Sequence, residues 1–117
     1  MRNEPLLSWQ WNHYPEAHRD RRNLAIHLAT APLFVAGLVG LVLSPFVAWW
    51  LAAVGLGAML VTVALQGRGH KMETSPPLPF DGPLDVVKRL FVEQTITFPR
   101  FVLSGGLARA WREAGRA

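Results

Sequence analysis

No charged side chain occurs from Asn23 to Gly67, and inside that stretch two apolar runs, Leu24 to Leu43 and Phe46 to Leu65, stand on either side of Ser44-Pro45. About 20 mostly apolar residues suffice for a helix to cross a bilayer. Two such runs joined by a tight Ser-Pro break run antiparallel, so the pattern predicts a transmembrane helical hairpin. A soluble bundle would show a charged stripe on each helix, and neither run has one. The expected fold is an all-α membrane protein in a single domain: an N-terminal segment 1–22, spans 24–43 and 46–65, and a C-terminal segment 67–117 with short amphipathic helices.

The flanks are read from their punctuation. Pro15 suits the first turn of a short helix carrying Glu16, His18 and the arginines, and Asn23 suits the N-cap of the first span. Gly67 and Gly69 are expected to end or loosen the second span. Thr74 to Pro83 holds Pro76, Pro77, Pro79 and Pro83 and reads as non-helical. Asp81 or Gly82 then caps a helix opening at Pro83 or Leu84. Leu84, Val87, Leu90 and Phe91 form one face of it, and Asp85, Lys88 and Arg89 another. Such an amphipathic helix lies on the membrane or on the hairpin mouth. A third span over Ile96 to Leu103 is disfavoured by Pro99 and Arg100.

Charge adds an orientation. Twelve Lys and Arg stand against eight Asp and Glu, and the basic residues gather outside the hairpin: Arg2, Arg19, Arg21 and Arg22 before it, Arg68 and Lys71 after it, none in the turn. The positive-inside rule places both termini in the cytoplasm, which in a bacterium means an inner-membrane protein. Anionic lipid headgroups account for a sequence pI near 10.7 better than nucleic acid does, because the charges flank apolar spans. Trp49 and Trp50 suit the far interface, and Trp9, Trp11 and Tyr14 the near one. The first apolar run begins late and continues into a second, which is not the layout of a cleaved signal peptide. The chain has no cysteine, so any metal must be held by imidazole, carboxylate, amide or water.

The few polar residues of the hairpin are grouped. Asn23, His27 and Thr30 share one face of the first helix, and Thr62 and Gln66 one face of the second. Folding at Pro45 sets Gln66 opposite Leu24 and Thr62 opposite Leu28, so both polar faces meet at the cytoplasmic end. Polar groups at membrane depth are costly unless partnered or functional; the competing role is hydrogen bonding between the helices. Ala36/Gly40 and Ala53/Gly57 are spaced for close helix contact. His70 follows the second stripe, with Glu73 three residues on, a spacing that lets both reach one metal. His18 lies nine residues before His27, and the two converge only if the chain bends near Asp20 to Asn23. His13 reads as an ordinary interfacial side chain. Convergence of His18, His27 and His70 at one mouth predicts a metal site; imidazole suits iron, zinc, copper and nickel alike.

At these residues the chain resembles a known family. Tyr14 to Pro32 reads Y-x3-H-x4-N-x3-H-x4-P and Gln66 to Glu73 reads Q-x2-G-H-x2-E. Together they are similar to the membrane 2-hydroxy fatty acid dioxygenases related to the fungal enzyme that converts phytosphingosine-derived acids to odd-chain fatty acids. The resemblance covers roughly residues 9 to 107. It implies an Fe(II)-dependent oxygenase of fatty acid alpha-oxidation that uses O2 to shorten a 2-hydroxy acyl chain by one carbon, with His18, His27 and His70 as iron ligands or their close support, and Asn23, Thr30 and Gln66 beside them. Thr30 departs from the family pattern, which often has Gly there. Spacing favours Glu73 to complete the metal shell, with Glu93 as the alternative if a helix folds over the mouth.

Two other classes use the same features. A membrane scaffold or assembly protein would keep the hairpin and basic flanks without a stoichiometric metal, and a zinc-dependent membrane hydrolase would keep the histidines without needing O2. Two spans enclose little volume, so a homo-oligomer is expected to complete the pocket.

Overall fold

Asp20 opens the first long helix: its carboxylate accepts a hydrogen bond from the Arg22 amide (2.8 Å), satisfying one of the N–H groups a helix start leaves unpaired. In the computed structural model, which describes residues 4–115 and so leaves Arg2 outside the described residues, α1 (Leu6–His13) and one 3-10 turn (Tyr14–Ala17) precede this helix, α2 (Arg21–Leu43). A turn over residues 44–49 leads to α3 (Trp50–His70). Both α2 and α3 are long and apolar enough to cross a membrane, and they pack against each other as an antiparallel hairpin.

The sequence reading placed the helix ends differently. Asn23 is not the cap but lies inside α2, because Asp20 supplies the capping carboxylate. The reversal takes the whole of 44–49, so the second helix starts at Trp50, not at Phe46. Gly67 and Gly69 do not end α3, which continues to His70. Gly69 instead lets the helices approach, since a Cβ there would strike the Asn23 side chain. The tightest crossing is also not at the expected small pairs. A Cβ on Gly37 would lie 2.6 Å from the Gly55 carbonyl oxygen, whereas Gly57 faces open space. Close backbone approach of this kind lets two helices associate in lipid, where hydrophobic burial offers little gain.

Beyond the hairpin, residues 71–82 form an irregular connection. Gly82, at φ 138°, ends it in a conformation that side chains with a Cβ rarely adopt. A continuous helical stretch follows: α4 (Pro83–Val92), a π-helical turn (Glu93–Thr97) and α5 (Phe98–Leu103). Gly105, at φ 85°, separates it from α6 (Gly106–Ala114). The stretch lies against one side of the hairpin. Phe91 meets Phe34 edge-on, with ring centroids 5.4 Å apart. Gln94 and Gln66 exchange amide hydrogen bonds of 3.0 and 2.7 Å.

The buried core gathers at the end of the hairpin where α2 begins and α3 finishes. Tyr14, Leu24, Ala31, Phe98 and Phe101 form one cluster, with Trp11, Val102, Leu107 and Ala110 packed around it. The opposite end has no such cover: Phe46, Val47 and Trp49 are among the most exposed side chains. α4 does not turn its expected apolar face to the hairpin as a whole: Phe91 meets Phe34 and Leu90 is half-buried, but Leu84 and Val87 turn away. Asp85 and Arg89 are buried, while Leu84 and Val87 are 66% and 52% exposed. Arg89 donates to the Pro79 and Leu78 carbonyls (both 2.9 Å), lies over the rings of Trp9 and Phe80, and stands 3.6 Å from Asp85. The proline-rich connection is thereby tied to α4 and α1. Tyr14 is not an interfacial aromatic but part of the core, 4% exposed.

Candidate metal centre

Four elements bring one side chain each to a common point. His18 follows the 3-10 turn, where residues 18–20 are extended enough to aim its ring back under α2. His27 points inward from the second turn of α2, His70 is the last residue of α3, and Glu93 is the first residue of the π-helical turn. One ligand atom from each lies within 4.8 Å of all the others. The three imidazoles form a nearly equilateral triangle, with ring centroids 4.8, 4.8 and 4.9 Å apart and each pair of rings within 10° of perpendicular. Glu93 Oε2 stands 3.5 Å from His18 Nε2 and 3.5 Å from His27 Nε2.

Two of the rings are fixed by their outer nitrogens. His18 Nδ1 donates to the Tyr14 carbonyl (2.6 Å), and His27 Nδ1 donates to the Asn23 carbonyl (3.0 Å). These bonds assign the protons to the outside of the cluster. What remains inside is three buried nitrogens, His18 Nε2, His27 Nε2 and His70 Nδ1, with no hydrogen-bond partner. Buried polar atoms left so cost about 1–3 kcal/mol each, and three at one point are rare in a native core. Shared coordination explains all three together. Nitrogens about 2.1 Å from one ion are at most about 4.2 Å apart, so small side-chain shifts bring the set into bonding range. The outer hydrogen bonds are those that orient metal-bound histidines.

Tyr14 completes the support. Its hydroxyl donates to Glu93 Oε2 (2.8 Å), and its ring stacks on His18 at 3.8 Å between centroids, 11° from parallel. Burial, with the Glu93 carboxylate beside it, raises the phenol well above its ordinary pKa, so it stays a donor. The Glu93 carboxyl is aimed at the three imidazoles. The buried His18, His27, His70 and Glu93 group can therefore hold a metal ion.

Glu73, which spacing favoured, does not join this group. Its carboxylate accepts hydrogen bonds from the Arg19 and Asp20 amides (2.9–3.1 Å) and from Asn23 Nδ2 (2.8 Å), tying the end of α3 to the start of α2. The short connection after His70 carries Glu73 past the cluster and onto free N–H groups, while the wide π-turn aims Glu93 inward. Asn23 contributes its carbonyl to His27 and its side chain to Glu73. Thr30 and Gln66 lie beyond the cluster: Gln66 Nε2 donates to Thr30 Oγ1 (3.0 Å), and Thr62 Oγ1 to the Thr30 carbonyl (3.2 Å). Thr62 thus faces Thr30, not Leu28, because the longer turn shifts the register. His13 pairs with Glu16 (3.3 Å), apart from the cluster.

Tyr14 and Gln94 escaped the sequence reading as site residues. The available signal was Asp85, Arg89 and Glu93 at i, i+4 and i+8, a polar stripe that belongs inward if the apolar face belongs outward. An open cleft of about 830 Å³ lies beside the cluster, with His18 and Phe101 on its wall and Arg19, Arg22, Glu73 and Arg109 among its rim residues. Compared with family models, with curated proteins and with solved structures, the chain finds no match.

Proposed function

We propose that the protein is a membrane-embedded Fe(II)-dependent dioxygenase that shortens 2-hydroxy fatty acids by one carbon. The carrying observation is the set of three partnerless imidazole nitrogens closed by one carboxylate. Three neutral imidazoles and one carboxylate suit a divalent first-row ion, and the motif resemblance of Tyr14 to Pro32 and Gln66 to Glu73 favours iron. Bound there, Fe(II) would supply O2 activation and a docking point for the substrate's 2-hydroxyl and carboxylate.

The protein's own groups have definable tasks. His18, His27, His70 and Glu93 hold the ion; Tyr14 keeps one Glu93 oxygen in place; Phe98 and Phe101 exclude water from the side where His27 and His18 face them (centroids 5.9 and 6.4 Å). The arginine-rimmed cleft beside His18 suits entry of an anionic head, with the acyl chain left to the hairpin surface. Conversion of the hydroxyl-bearing carbon to a carboxylate, with the original carboxyl leaving as carbon dioxide, releases all the electrons that O2 accepts, and one oxygen atom leaves as water. No separate reductant is required. The cytoplasmic placement of both termini and a homo-oligomeric assembly belong to the same proposal.

The test is anaerobic purification in mild detergent followed by metal analysis by mass spectrometry, for the native chain and for a His27→Ala, His70→Ala double variant. Iron near one per chain, absent from the variant, and O2-dependent formation of an acid one carbon shorter support the proposal. Zinc lost in the same way would turn the reading to hydrolysis. An intact, iron-supplemented protein with no metal would turn it to the scaffold.

A further inference from the structure

The outward face of α4 is unusual for a helix in water. Leu84 (66% exposed) and Val87 (52%) point away from the protein, with Phe80 (45%) and Leu78 (42%) exposed on the connection before them. Two of the three charged residues of the same helix, Asp85 and Arg89, are buried, Arg89 among Trp9, Phe80 and the 78–79 carbonyls, while Lys88 is exposed. Soluble amphipathic helices do the reverse, because water solvates the polar face and the core takes the apolar one. Exposed apolar side chains backed by buried charge are what a lipid environment selects.

We infer that α4 is a bilayer-contact helix whose Leu84 and Val87 face rests in the acyl and headgroup boundary. Continuity argues for lipid as the occupant: Phe91, in the last turn of α4, packs on Phe34 near the middle of α2, so α4 lies against the charge-free hairpin. Glu93, the residue after α4, belongs to the metal cluster, and the Arg89 carbonyl accepts a hydrogen bond from Gln10 Nε2 of α1 (3.0 Å), so α4 meets lipid on the side of the membrane that carries the cluster. Lys88, exposed one residue after Val87, is placed for a headgroup phosphate, the ordinary position of a basic residue flanking an interfacial apolar face. The consequence for the site is direct. Glu93 follows α4 without a break, so contact of α4 with lipid sets the helix that delivers the carboxylate to the histidines.

This inference rests on the reading of the hairpin as a membrane element, and its test separates the two. The chain has no cysteine, so single cysteines can be introduced into the full-length protein without clearing a background. Leu84→Cys, Val87→Cys, Leu56→Cys on the hairpin and Ser75→Cys on the connection would each carry a nitroxide, in liposomes of phosphatidylethanolamine and phosphatidylglycerol. Collision with O2, which partitions into lipid, is compared with collision with chromium oxalate, which stays in water. The expected result is an O2-to-oxalate ratio at Leu84 and Val87 that clearly exceeds that at Ser75 and stands at or below the value at Leu56, as a boundary position requires. A lipid value at Leu56 with a Ser75-like value at Leu84 and Val87 overturns the inference and leaves the membrane hairpin standing. Labels at Leu84 and Val87 shielded from both reagents overturn it in favour of a second copy of the chain. A water value at Leu56 overturns the hairpin reading, and the inference with it.

Discussion

Two buried polar clusters sit side by side at the same end of the hairpin, and they are satisfied in opposite ways. In one, Gln66, Gln94, Thr30 and Thr62 bond one another and nearby carbonyls, and none of their side-chain polar atoms is without a partner. In the other, His18 and His27 satisfy the outer ring nitrogen, and His18, His27 and His70 each leave the inner one bare. Both clusters draw on α2, α3 and the π-helical turn. The first accounts for itself as glue between helices; the second leaves three inner nitrogens that one bound ion would satisfy together. Burial of polar groups alone would not have told them apart.

The contrast can be broken by substitution, and the largest effect is expected at the bare nitrogens. The His27→Ala, His70→Ala variant should lose bound metal entirely by mass spectrometry, whereas Gln66→Leu should keep the native stoichiometry. In chelator-treated protein the order reverses. His27→Leu removes an atom that costs about 1–3 kcal/mol to bury unpaired, so its thermal midpoint in detergent should equal or exceed the native one.

Tyr14→Phe sharpens the same comparison. It removes the hydroxyl that holds Glu93 and keeps the ring stacked on His18, so metal affinity in a chelator competition should fall about 10- to 100-fold, with a small change in thermal midpoint. An unchanged affinity would make Tyr14 a packing residue only.

Within the satisfied cluster, Gln66→Leu should destabilise by about 1–3 kcal/mol, because the Gln94 amide and Thr30 hydroxyl lose their partner. Adding Gln94→Leu should recover most of that loss, and the cycle of single and double variants measures the coupling. The smallest effect is expected away from both clusters: Asp20→Ala removes the cap of α2 at about 1 kcal/mol, read as a lower thermal midpoint without loss of metal.

Much of this arrangement is legible along the chain. The charge-free stretch from Asn23 to Gly67 carries the hairpin because length and polarity are local properties. Asn23, His27 and Thr30 share a face because helical periodicity requires it. His18 and His70 come within reach of His27 because one stands just before α2 and the other is the last residue of α3, at the two helix ends that meet. Glu93 and Glu73 were harder to rank. Glu73 is closer to His70 in sequence, but the direction of an irregular connection depends on which backbone amides are free, and the free amides at Arg19 and Asp20 capture it. Glu93 stands far along the chain, and only the packing of Gln94 on Gln66 and Phe91 on Phe34 brings its turn to the cluster.

α4 shows the same division. Its amphipathic pattern fixes that one face is apolar and the other charged, since side-chain order along a helix sets faces without reference to surroundings. Which face turns inward is decided by Trp9, Phe80 and the 78–79 carbonyls, which offer Arg89 a cage that no periodicity encodes. By itself the sequence determined the two long apolar helices, the histidines at their meeting ends and the absence of thiolate ligands. Tertiary structure alone decided which carboxylate joins the histidines, which ring nitrogens face inward and which side of α4 is left to its surroundings, because these depend on contacts between segments that local order does not relate.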